Sequence, residues 1–205
     1  MRLLILAANG KTGTQLVDLA LARDHEVTAF VRSPAKVTRR HPLLKVLPGD
    51  PHSADALAEA LLRHDVVLSA LGVRPPHAFR PHTVLQDCAA STVAAMTRAG
   101  VRRLVLVSAA VLFPEKGLRF AFFRWLLTPV RRDLEAAEQI VRATSLEWTI
   151  ARPPRLIHTS DEGYRATRDA LPSGAFSMSF RAVAAFMLDT VEHGTHVLQI
   201  VGLAS

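Results

Sequence analysis

Short unbroken apolar runs alternate with helical patterns along the whole chain. Leu3 to Ala8 is apolar, Asn9-Gly10-Lys11-Thr12-Gly13 interrupts it, Leu16, Leu19 and Ala20 return at helical spacing, and Val27 to Val31 is apolar again. Unbroken runs of this length belong to strands buried on both faces, and the spacing between them belongs to a helix lying on the sheet. Further strand-like runs fall at Leu43–Leu47, Asp65–Ala70, Arg103–Val107, Glu147–Ala151 and His196–Val201. Helical patterns fall at Ala54–Leu62, Thr83–Ala99, Arg131–Ala143 and Arg181–Val191. Ser53 before Ala54-Asp55 predicts an N-cap with an acid in the first turn. Gly100 predicts a helix stop. The pattern as a whole predicts an α/β fold: a doubly wound parallel sheet of Rossmann type. It also predicts one domain over residues 1–205, with small C-terminal elements on the substrate side.

The first turn carries the chemistry. Strand, glycine turn, helix and strand follow in the order of a dinucleotide-binding βαβ unit. Backbone N–H groups at a helix N-terminus must approach a pyrophosphate closely, and a side chain on Gly10 would block that approach. Gly13 would let the helix pack tightly on the sheet. The first glycine of the usual fingerprint is replaced by Ala7, so the spacing reads A-x-x-G-x-x-G. Asn9, Gly10, Lys11, Thr12 and Gly13 are therefore candidate pyrophosphate contacts. The alternative is a tight βα turn that holds no dinucleotide. At the end of the second run, where an NAD site places an acid, stand Arg32 and Ser33, with Lys36 nearby and no carboxylate between Thr28 and Gly49. A guanidinium suits a 2′-phosphate. The expected cofactor is NADP(H), with NADPH preferred over NADH.

Composition narrows the rest. The chain is 49% hydrophobic yet has no long uncharged apolar run, so no transmembrane helix is expected. Leu3 to Ala8 is too short for a signal-peptide core. The single cysteine, Cys88, fits a reducing cytoplasm and reads as a buried structural thiol. A net charge of +7 raises nucleic acid as a partner, but arginines come in scattered pairs such as Arg39-Arg40 and Arg131-Arg132, without aromatic interleaving. Neither nucleic acid nor membrane is expected as a partner. The nine histidines show no metal-ligand spacing, so no metal site is expected.

Several segments together resemble a family: AANGKTG (7–13), VTAFVRS (27–33), Gly49-Asp50, DVVLSALGV (65–73), STVAAMTRAGVRRLVLVSA (91–109) and LEWTIARPPRL (146–156). The chain resembles atypical short-chain dehydrogenase/reductases of the NAD(P)H-binding, NmrA-like type. Within that group it is most similar to biliverdin reductase B/flavin reductase proteins. The resemblance implies that Gly10, Thr12 and Gly13 hold the pyrophosphate and Arg32 the 2′-phosphate. It implies Asp50 near the adenine, and Ala70, Leu71 and Gly72 along the ribose. Ser108 and Pro153-Pro154 would lie at the nicotinamide.

Departures from the family bear on the reaction. A standard short-chain reductase protonates a carbonyl with a Tyr-x-x-x-Lys pair. This chain has one tyrosine, Tyr164, with Arg168 four residues on, and no lysine after Lys116. Without a positioned acid, reduction of a simple ketone loses roughly 10²–10⁴-fold. A flavin, quinone or similar planar conjugated acceptor needs less help, because charge delocalises and water can protonate it. Where the flavin reductase relatives carry histidines, this chain aligns Glu138 and Arg155, and where they have a second serine it has Ala109. The catalytic candidates are therefore Ser108, Arg155 and Glu138. Arg155 and Glu138 are expected to face the substrate. The competing expectation has Arg155 solvated and Glu138 paired with Arg142.

The aromatic segment Leu118–Leu127 reads as a buried or interface helix, or else as an apolar lid. The loop Arg74–Pro81, with His77, Phe79 and the following His82, is a second candidate wall, and His77 and His82 read as solvated. A monomer or weak homodimer acting on a small planar molecule is expected. Two other functions stay open: a cofactor-sensing regulator without turnover, and a tailoring reductase or isomerase for one metabolite.

Overall fold

The computed structural model describes residues 1–73, 82–114 and 127–205. Along the chain these residues form β1 (Arg2–Leu6), α1 (Lys11–Ala22), β2 (Glu26–Val31), β3 (Leu44–Pro48), α2 (Ala54–Ala60), β4 (Val66–Ser69) and α3 (Val84–Ala99). Then come β5 (Arg103–Val107), α4 (Thr128–Arg142), β6 (Glu147–Arg152), β7 (Arg155–Ile157), β8 (Arg165–Arg168), β9 (Ser177–Ser179), α5 (Phe180–Glu192) and β10 (Gln199–Ala204).

Eight strands pair in the order β3-β2-β1-β4-β5-β6-β10-β8. All neighbours are parallel except β8, which runs antiparallel to β10 at the edge. The chain winds outward from β1 through β2 to β3, then returns to lay β4 on the other side of β1. That reversal opens a crevice beyond the carboxyl ends of β1 and β4, where open α/β sheets take their ligands. The doubly wound parallel sheet expected from the pattern is present.

The unbroken apolar runs are explained by two cores. Leu3 and Ile5 of β1 face one side with α1 and α5, whose Leu16, Ala20, Val183 and Phe186 are buried there. Leu4 and Leu6 face the other side with α2, α3 and α4, against Leu57, Met96, Leu134 and Val141. A strand buried on both faces has no polar side to alternate with.

Local signals held where they rest on local bonds. The Ser53 hydroxyl accepts from the Ala56 N–H at 3.2 Å, and Gly100 ends α3 in the left-handed region at φ 72°. Three features differ from the sequence expectation. The last strand begins three residues later than His196, because His196 and Leu198 take positive φ in a turn. Helix α4 begins at Thr128 rather than Arg131, with Pro129 in its first turn. The strands β7, β8 and β9 were not anticipated; β8 is exposed at every position, so it carries no hydrophobic pattern.

Candidate functional site

The turn after β1 is tightly built. Ala7, at the place of the missing glycine, adopts φ 56°, a left-handed conformation costly for a residue with a Cβ. Its carbonyl oxygen accepts from the Gly10 N–H at 2.8 Å. A Cβ on Gly13 would lie 2.1 Å from that same oxygen and 2.8 Å from the Ala8 Cα. A Cβ on Gly10 would lie 3.1 Å from it. Gly13 therefore lets α1 press against the end of β1.

Helix α1 opens at Gly10 with no side-chain cap and no acid in its first turn. The first intrahelical bond runs from Thr14 N–H to Gly10 C=O at 2.9 Å, so the amides of Lys11, Thr12 and Gly13 have no partner within the helix. This arrangement fits an anion such as a pyrophosphate. Asn9 is half-buried, Thr12 is buried, and Lys11 is exposed with its ammonium 5.4 Å above the Phe180 ring.

The ends of β2 and β3 lie beside this turn. Arg32 is exposed and makes no ion pair among the described residues. Ser33 precedes a short 3₁₀ turn, Pro34–Lys36, and its hydroxyl does not cap it. Asp50 Oδ1 accepts from both the backbone N–H of His52 (3.1 Å) and its Nδ1 (2.9 Å). Those bonds hold the Asp50 carboxyl below the usual carboxylate range, and the charge of Arg32 adds to the effect. Beyond β4, Ala70 and Leu71 are half-buried and Gly72 is exposed.

Ser108 directly follows β5 and is buried. Its hydroxyl donates to Glu138 Oε1 at 2.5 Å. Arg152, the last residue of β6, donates Nε–H to Oε1 at 3.0 Å and Nη2–H to Oε2 at 2.6 Å of the same carboxylate. The Arg152 guanidinium also stacks on Phe113 at 4.7 Å. Glu138 is only 3% exposed in its side chain and Arg152 12%. Beneath Ser108, between the sheet and helices α3 and α4, lies a cavity of about 20 Å³, room for one water, lined by Leu71, Cys88, Leu104 and Leu134 among others.

The expected Glu138–Arg142 pair is not formed. Its partner is Arg152 at the end of β6, which helical spacing does not point to because only the packing of α4 on the sheet brings the two together. Arg155 begins β7 and is exposed, outside that cavity. Its ladder partner is Ser177, which puts Phe176 (89% exposed) at the same rim. Pro153 is buried, and its carbonyl accepts from the Ala110 N–H at 2.9 Å.

Three further residues proved structural. Tyr164 donates to Asp189 Oδ2 at 2.7 Å on the α1–α5 side of the sheet; burial, then that bond, raises its phenol. Cys88 is 1% exposed, and burial first, then the nearby Asp50 and Asp87 charges, push its thiol up to about 12. His82, expected to be solvated, is instead tucked against Asp133 at 2.8 Å. Asp133 is fully buried and accepts from the Leu85 and Gln86 N–H groups, both at 2.9 Å, so α4 caps the start of α3. Residues 74–81, with His77 and Phe79, and all but the last residue of Leu118–Leu127 lie outside the described residues. Among the described residues no helix is long and apolar enough to cross a membrane, and no cluster of metal-ligating side chains occurs.

Solved structures share this architecture. A Rossmann-fold NAD(P)-binding family protein from Shigella flexneri superposes with a TM-score of 0.79 at 25% identity, covering 100% of this chain and 93% of the other. The oxidoreductase ylbE from Lactococcus lactis superposes at 0.85 with 19% identity, covering 100% and 91%. A wide-type short-chain dehydrogenase/reductase from Veillonella parvula, solved in complex with NADP, superposes at 0.78 with 22% identity, covering 100% and 94%. In sequence, the uncharacterized protein YwnB of Bacillus subtilis is 26% identical over 96% of this chain and 94% of its own length. The model of the NAD(P)H-binding family matches residues 7–194, and the chain belongs to that family.

Proposed function

We propose that this protein is an NADPH-dependent oxidoreductase that reduces a planar conjugated acceptor of the flavin or quinone class. The observation that carries the reading is the fate of its one tyrosine. Tyr164 is bonded to Asp189, and no Tyr-Lys pair stands beside Ser108 to protonate a simple carbonyl. A bound reduced nicotinamide supplies a hydride. An acceptor that delocalises the incoming charge can take its proton from water, so the protein's main task is to position two rings. The sequence resemblance to biliverdin reductase B/flavin reductase proteins supports the same acceptor class.

The residues divide the work as follows. The first-turn amides of α1, with Asn9, Gly10, Lys11, Thr12 and Gly13, receive the pyrophosphate. Arg32 and Ser33 receive a 2′-phosphate, and the exposed guanidinium of Arg32, without an ion pair among the described residues, supports NADPH over NADH. Asp50 keeps Oδ2 for the adenine edge, and Ala70, Leu71 and Gly72 border the ribose. Ser108 and Pro153 stand on the nicotinamide side, with Glu138 acting through Ser108. Arg155 and Phe176 form a rim offering a cation and an aromatic face, suited to a planar anionic molecule. The protein works as one domain, as a monomer or weak homodimer, in a reducing cytoplasm, without nucleic acid or membrane.

The test is steady-state NADPH oxidation with FMN, riboflavin and a short-chain quinone, with NADH as control. Acceptor-dependent turnover supports the reading. Tight NADPH binding with no turnover on any acceptor overturns it in favour of a cofactor-sensing regulator, which the missing catalytic pair fits equally well. Arg155→Ala with unchanged KM and kcat removes Arg155 from the site.

A further inference from the structure

We propose that the Arg152–Glu138 pair fixes the Ser108 hydroxyl as a hydrogen-bond acceptor toward the substrate, so that the site selects conjugated acceptors bearing an N–H or O–H on the edge that meets Ser108. This rests on the reading of Ser108 as a substrate-side residue.

A serine hydroxyl has one proton and two lone pairs. At Ser108 the proton lies along the 2.5 Å bond to Glu138 Oε1. Glu138 receives two N–H groups from Arg152, one on each oxygen, and a carboxylate so engaged only accepts. The hydroxyl must therefore be the donor in its bond to Glu138. Glu138 cannot turn away without breaking both guanidinium bonds inside a buried setting, and Arg152 is held in place by Phe113. Ser108 is left with lone pairs alone to offer a ligand.

The consequence is a reversed polarity. A bare carbonyl oxygen brought to Ser108 meets a lone pair and leaves its own oxygen unbonded. An imide or lactam N–H, or an enolic or phenolic O–H, finds a buried acceptor. Among conjugated acceptors this favours flavins, whose pyrimidine ring carries an imide N–H, and hydroxyquinones over simple quinones. Glu138 and Arg152 are positioning residues, because they act through Ser108.

The experiment compares riboflavin with N3-methylriboflavin, which share the reducible ring and differ in that N–H. Turnover with NADPH and binding to the NADP⁺ complex by flavin fluorescence are both read. Wild type is expected to favour riboflavin by roughly 10–100-fold in kcat/KM, carried by KM, as loss of one hydrogen bond to a buried group implies. The double variant Glu138→Leu/Arg152→Met removes the carboxylate and its cation together, so that neither is left unpaired and the serine proton is free for the ligand. It is expected to shrink the ratio to within about threefold and to raise relative turnover of a simple quinone. A purely steric response to the methyl group would leave the double variant's ratio at the wild-type value and overturn the proposal. Equal reduction of both flavins by wild type also overturns it and leaves the reductase reading standing. Selective binding of riboflavin without turnover, lost in the double variant, upholds the polarity while the reductase reading falls. Binding of neither flavin overturns the proposal.

Discussion

The carbonyl oxygen of Ala7 stands 2.1 Å from where a Cβ on Gly13 would lie, so the residue that replaces one glycine of the turn makes another indispensable. Gly13→Ala must push α1 off β1. It is expected to cost about 1–3 kcal/mol of stability in urea unfolding. NADPH affinity, by calorimetry, is expected to fall roughly tenfold or more. Ala7→Gly should do the opposite. The strained φ of 56° is relieved, and stability should be unchanged or rise by up to about 1 kcal/mol with NADPH binding retained.

Asp133 joins two helices through a cap that neither helix supplies for itself. Thr83, the residue before α3, does not cap it; its hydroxyl donates instead to Asp87 at 2.7 Å. Asp133→Ala leaves the Leu85 and Gln86 amides bare and strips His82 of its partner. A loss of about 2–3 kcal/mol in urea unfolding is expected. Thr83→Ala should cost well under half as much.

The buried Glu138–Arg152 pair should show strong coupling. Arg152→Met strands a buried carboxylate and is expected to destabilise by about 3–5 kcal/mol. Adding Glu138→Leu should restore most of that loss, since an apolar pair is tolerated in the same space. Additive single and double variants would show that the pair does not act as a unit.

Cys88 should be chemically silent in the folded protein. With its thiol pushed up to about 12 and its sulfur buried, labelling by a disulfide reagent near neutral pH should be absent until denaturant is added. Stoichiometric labelling of native protein would contradict the packing between α3 and the sheet.

His64 gives the stability an acid slope. Burial first lowers its proton affinity, and its Nε2 bonds the Thr28 hydroxyl at 2.9 Å. The unfolded chain protonates near the ordinary histidine value of ~6.5. Below that pH the unfolded state binds the extra proton, so the contribution is full above it and is lost as pH falls toward the lower folded value. His64→Gln should flatten the change in urea midpoint between pH of about 7.5 and about 5.5.

The sheet was legible because β1, β2, β4, β5 and β6 carry apolar runs that are buried in the sheet; β3, at the edge, is only half-buried. The edge was not. Strand β8 is Arg-Ala-Thr-Arg, entirely exposed, and only its pairing with β10 makes it a strand. The phosphate turn was legible because its glycines are local. The Ser108–Glu138–Arg152 network was half legible. Ser108 and Glu138 stood out, but helical spacing offered Arg142 as the partner, and only the packing of α4 over the end of β6 brings in Arg152. The Asp133 cap and the exposed Phe176 left no sequence signal, since each depends on contacts distant along the chain.

The most direct measurement is the ratio of dissociation constants for NADPH and NADH, in wild type and in Arg32→Ala. A 2′-phosphate held by the exposed Arg32 guanidinium should give wild type a preference for NADPH of roughly tenfold or more. In Arg32→Ala the ratio should fall toward one, chiefly through NADPH. Equal affinities in wild type, or tighter NADH, would contradict the account.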